Sequence, residues 1–79
     1  MKKLKLIWDF FGPDANKTAE HQEEHLKEFI EKDGLKNNIT GFQHFAENES
    51  ICFMVVDEDE LIPVRDALQP HRGEWYEED

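Results

Sequence analysis

Around Gly12 and Pro13 the spacing of apolar side chains changes from every second residue to every third or fourth, and that switch restricts the chain to a mixture of strand and helix. Upstream, Leu4, Leu6, Trp8 and Phe10 alternate with Lys3, Lys5 and Asp9, the pattern of a half-buried strand over residues 3 to 11. Pro13 has no amide to donate and turns the chain out of the ladder. Downstream, Ala15, Thr18, Ala19, Gln22, Leu26, Phe29 and Ile30 fall in one stripe on a helical projection, with Gly34 just past its end. The spacing predicts a helix over residues 14 to 33. Its opposite face carries Glu20, Glu24, Lys27, Glu28 and Glu31, and Glu23 precedes Lys27 by four residues in the favourable orientation.

Residues 39 to 46 and 50 to 56 read as two strands joined by the hairpin residues Glu47, Asn48 and Glu49. The run from Ile51 to Val56 is apolar at every position, which predicts a strand inside the sheet, covered on both sides. Asp57, Glu58, Asp59 and Glu60 supply acidic caps and a first turn for a short helix bearing Leu61, Val64, Ala67 and Leu68, with Pro63 near its start and Pro70 past its end. Residues 74 to 77 complete the set as a short edge strand. Strand, helix, hairpin, helix, strand, joined by right-handed crossovers, predicts one α+β domain over residues 1 to 79. The expected architecture is a ferredoxin-like two-layer sandwich: a four-stranded antiparallel sheet in order 4-1-3-2, with two helices on one face.

The stretch from Trp8 to Phe29, with its Trp-Asp-Phe, Gly-Pro-Asp-Ala, Thr-Ala-Glu-His and His-Leu-Lys-Glu-Phe strings, together with Leu68-Gln69-Pro70-His71-Arg72-Gly73, resembles a group of small bacterial proteins. The resemblance implies the ferredoxin-like fold and is compatible with a dimeric α+β barrel, but it implies no particular activity. The Cys-x-x-Cys of heavy-metal-associated domains and the aromatic-basic signatures of RNA-recognition motifs have no counterpart here.

Nine Lys and Arg against nineteen Asp and Glu give a formal charge of −10, which repels nucleic-acid phosphates and anionic membranes, so neither is an expected partner. The single cysteine, Cys52, lies in the most apolar run and is expected to be a reduced, buried thiol. The N-terminal apolar stretch is broken by Lys5 and Asp9, unlike a signal peptide, and no stretch approaches a spanning helix, so a soluble, cytoplasmic protein is expected. A chain of this size buries only about 60% of its unfolded surface. With helices on one face, Ile7 and Phe11 would join either Ile51, Phe53 and Val55 or Cys52, Met54 and Val56 on the open side. That apolar surface predicts a homodimer joined through the open sheet face.

Two groups of residues carry the candidate chemistry. His21 and His25 form a His-x-x-Glu-His string on the first helix and project together, so they could chelate zinc or another divalent transition metal. The plainer reading is that both cover the helix flank and that no cofactor is held. The second group follows from the sheet order, which gathers Asp9, Gly12, Pro13, Asp14, His71 and Arg72 at one end. There, free helix amides and the Arg72 fork could hold a small anionic ligand, unless Asp14 caps the helix and pairs with Arg72. His44 could face the dimer interface, and Trp8 and Trp75 could meet across adjacent strands. The functional expectation is a ligand- or partner-binding homodimer without catalytic machinery. The alternative is a small enzyme or metal-binding protein using His21, His25 and His71.

Overall fold

The computed structural model describes residues 2 to 77. The chain runs β1 (Lys3–Phe11), α1 (Ala15–Asp33), β2 (Thr40–Ala46), β3 (Glu49–Asp57), a 3-10 turn (Glu58–Glu60), α2 (Leu61–Leu68) and β4 (Arg72–Tyr76). The strands form one antiparallel sheet in the order β2-β3-β1-β4, which read from the β4 edge is the expected 4-1-3-2. The arrangement is an α+β fold compatible with a ferredoxin-like sandwich. No helix among the described residues is long and apolar enough to cross a membrane.

Alternation along the strands decides which side chains meet the helices. Leu6 and Trp8 of β1 and Cys52, Met54 and Val56 of β3 form a single buried cluster with Ala19, Leu26 and Ile30 of α1 and Val64 of α2. Both helices therefore cover the same face. Each fully buried Leu, Met or Val there contributes roughly 1.5–3 kcal/mol relative to exposure. Gly34 ends α1 in the left-handed conformation (φ 64°, ψ 41°) and its N–H donates to the carbonyl of Ile30, the role that only a residue without a Cβ fills without strain.

The open face departs from a bare apolar surface. Ile7, Ile51 and Val55 point away from the helices, yet they are 2%, 4% and 0% exposed. Long side chains spread over them. Ile7 lies between Phe53 on β3 and Arg72 on β4. The Lys5 ammonium stands 4.4 Å from the centre of the Phe53 ring and 4.0 Å from Glu74. The Phe53 ring in turn covers Gly41, where a Cβ would stand only 2.6 Å from its Cζ. Apolar stems thus seal the floor while charged heads stay in water. The exposed apolar groups move to the sheet's end: Phe11 is 74% and Phe45 53% exposed.

Three local expectations are corrected. β4 begins at Arg72, earlier than residues 74 to 77, because the His71 N–H donates to the carbonyl of Ile7 and Arg72 then pairs with Ile7. Asp57 does not cap the following turn through its side chain. Its buried carboxylate instead accepts from Asn37 Nδ2 at 2.7 Å and lies 3.7 Å from Lys36 Nζ, which ties the loop after α1 to the end of β3. Trp8 and Trp75 are not partners: Trp75 stands opposite Leu4, and Trp8 is buried with its indole N–H donating to the Leu68 carbonyl.

Candidate functional site

The end of the sheet where β1 leaves and β4 enters brings Asp9, His71 and Arg72 together. Residues 9 and 71–72 are adjacent only because β1 and β4 pair antiparallel up to Ile7 and Arg72. The Arg72 guanidinium grips Asp9 with two donors, Nε to Oδ2 at 3.1 Å and Nη2 to Oδ1 at 3.2 Å. That hydrogen bond, followed by the Asp9 charge, raises the Arg72 pKa further above its already high ordinary value. One ring nitrogen of His71 completes the ladder beyond the last paired residue: its Nδ1 accepts from the Asp9 backbone N–H at 2.8 Å. The acceptor role fixes the neutral ring with its proton on Nε2. The same ring meets Phe10 edge-on at 6.4 Å between centroids.

Asp14 does not join this group as expected. It precedes α1 but makes no side-chain capping bond. Its backbone carbonyl instead accepts from the N–H and the hydroxyl of Thr18, each at 2.9 Å. Arg72 takes Asp9 because Arg72 pairs with Ile7 and Asp9 lies two residues further along β1 on the same face, so the fork that would hold a small anion already carries a carboxylate.

His21 and His25 are exposed on α1. His25 Nδ1 lies 3.8 Å from Glu28, its neighbour one turn on. His71 faces Phe10 and Asp9 at the sheet end. Among the described residues, the group of three close metal-type ligands is a different one, Asp57, Asp59 and Glu60. The Lys36 ammonium sits 2.6 Å from Asp59 and 3.7 Å from Asp57. It occupies the position a cation would take, and the Asp59 hydrogen bond raises its pKa.

One polar cluster was invisible in the sequence. Fully buried Ser50 donates its hydroxyl proton to Asn16 Oδ1 at the start of α1, while His44 Nδ1 lies 3.0 Å from the same hydroxyl. The buried hydroxyl joins Asn16 on α1 to His44 on β2, a latch tying the helix to the hairpin. His44 therefore lies on the helix side of β2 rather than on the open face. Cys52 is inert: burial, aided by the Glu23 charge, pushes its thiol up to about 12. A cavity of about 410 Å³ lies at the other end of α1, lined by Lys27, Ile30, Glu31, Gly34, Leu35 and Asn38, away from Asp9 and Arg72.

No family model matches the chain, and no curated protein or solved structure matches it either. The resemblance to small bacterial proteins therefore carries no residue role to these positions.

Proposed function

We propose that the chain is a non-catalytic, ferredoxin-like binding domain that works as a homodimer joined through its open sheet face. One observation carries the reading: on a chain of net charge −10, the strands give this face a formal charge close to zero. By strand alternation and pairing, Asp9, Glu49, Asp57 and Glu74 share it with Lys3, Lys5 and Arg72, four acids against three bases. Two copies meet there with little net repulsion, and each can offer both signs to the other. The exposed Phe11 at one end adds apolar contact over a floor that Ile7, Ile51 and Val55 already make dry.

The size of the face sets the expected strength. Four strands of nine, seven, nine and five residues, spaced about 4.8 Å apart and rising about 3.4 Å per residue, present roughly 490 Å² in projection. That places the contact at the small, dissociable end of interface sizes. A small anion would have to displace Asp9 from Arg72, so the face itself, rather than an anion pocket, is the binding surface.

The test is the light-scattering mass of the chain and of Phe11→Asp, which sets a new carboxylate beside Glu49. The chain is expected at twice 9.4 kDa at micromolar concentration and the variant at 9.4 kDa. A wild-type chain that stays at one subunit would end the reading.

A further inference from the structure

We infer that the free edge of β2 is a second pairing surface, built to join antiparallel with β2 of another copy so that two four-stranded sheets become one continuous sheet. The backbone supplies the donors and acceptors. β2 borders β3 on one side and, among the described residues, no strand on the other. The Val55 N–H donates to the Ile39 carbonyl at 3.0 Å, and the register runs Thr40 opposite Met54 and Gly41 opposite Phe53. Ile39, Gly41 and Gln43 therefore turn their peptide groups toward β3, while Thr40, Phe42 and His44 turn theirs to the open edge.

Soluble proteins defend such an edge with charge, proline or short length. The β4 edge is defended, being five residues long with Arg72 and Glu74 in it. The β2 edge is not. Residues 37 to 46 contain no Asp, Glu, Lys or Arg, the longest uncharged run in the chain. The next longest, residues 50 to 56, forms the buried interior strand β3. β2 has the same neutrality but is exposed over residues 43 to 46, with Phe42 37% and Phe45 53% exposed. The β-bulge between His44 and Ala46 ends the regular stretch just beyond the last outward residue.

Charge selects the occupant. A cationic partner would be recognised by carboxylates, whereas an uncharged edge on a chain of −10 is the surface that a like-charged copy can approach. The outward residues are also self-complementary. A twofold axis at Phe42 sets Phe42 opposite Phe42 of the other copy and Thr40 opposite His44 twice. Each of these pairs exchanges two backbone hydrogen bonds, and the central pair is aromatic on aromatic. The bonds Ser50 to Asn16 and Thr40 to Glu23 lay the α1 stripe of Asn16, Glu20 and Glu23 along β2. Joining two copies therefore brings the Glu20 residues toward each other, and added salt strengthens this contact by screening them.

The edge and the open face are different surfaces, so either can fail without the other. The experiment is amide hydrogen exchange by NMR at Thr40, Phe42 and His44 as protein concentration is raised to the millimolar range, above the micromolar range in which the open face alone pairs, at low and high salt. Protection at Phe42 and His44 is expected to rise with concentration, to rise further with salt, and to survive Phe11→Asp. Two variants remove it. Phe42→Pro deletes an outward N–H that the β3 ladder does not use, and Phe42→Glu keeps the backbone intact while setting carboxylates opposite each other. Retained burial of Trp8, read by fluorescence, verifies that both variants stay folded. Exchange at these amides that ignores concentration, association that weakens with salt, or protection that survives both folded variants would overturn the inference.

Discussion

Changing Cys52 to Ala tests the packing at the centre of the sheet through its pH dependence. The thiol is fully buried between β1 and β2, under α1, and burial lifts its pKa from an ordinary 9.0 to about 12. The folded state thus holds the protonated form while the unfolded chain releases its proton above pH 9. The stabilisation is complete below that pH and drains away as pH rises toward 12. Each pH unit in that window costs about 1 kcal/mol or somewhat more, so at pH 11 the thiol has removed roughly 3 kcal/mol. That is a large part of the roughly 5 kcal/mol that a domain this small holds. Cys52→Ala loses this titration and carries instead a constant penalty of about 1 kcal/mol for the smaller side chain. Urea unfolding followed by Trp8 fluorescence, on both proteins from pH 7 to pH 11, gives the difference directly, since every other titrating group is common to the two. The variant is expected to be the less stable at neutral pH and the more stable at pH 11. Stability curves that run parallel over the whole range would refute the burial assigned to Cys52.

Other outcomes follow from single contacts. Leu26→Ala, which empties a fully buried position of α1 against the sheet, is expected to lower stability by about 2–5 kcal/mol in the same urea assay. A loss below about 1 kcal/mol would mean that α1 does not pack as described. Arg72→Ala breaks a bridge whose arginine side chain is 52% exposed, and is expected to leave the urea midpoint nearly unchanged; a loss as large as that of Leu26→Ala would show that the bridge holds the open face together. Nitrogen NMR of His71 should show an unprotonated Nδ1 and a protonated Nε2, as its bond from the Asp9 N–H demands. A protonated Nδ1 in the neutral ring would remove that bond from the account of the sheet end.

The sequence carried the element order because hydrophobic period is a local property. The switch at Gly12 and Pro13, the uninterrupted run from Ile51 to Val56 and the C-cap at Gly34 each reflect neighbours within a few residues. β4 was read late because Arg72 and Gly73 show no alternation, and its start is set by a bond from His71 to Ile7 across the sheet. The candidate site was legible as a place but not as a set of contacts. Topology brought Asp9, His71 and Arg72 together, whereas the choice of Asp9 over Asp14 as the arginine's partner depends on strand register 63 residues apart. The sealing of the open face was hidden for a related reason. Lys5 reads as a surface charge, and only the placement of its ammonium over the Phe53 ring shows that it helps close an apolar floor. The latch of Asn16, His44 and Ser50 joins three elements by three ordinary polar residues that no spacing singles out.

The joining of two copies through the open face is tested most directly by isotope-filtered NOE spectra on a mixture of labelled and unlabelled chains. Intermolecular contacts are expected from the ring protons of Phe11 and Phe53 to side chains of the same face, Lys5 and Gln43 among them. A well-populated dimer whose intermolecular contacts leave Phe11 and Phe53 untouched, or a mixture with no such contacts at micromolar to millimolar concentration, would contradict it.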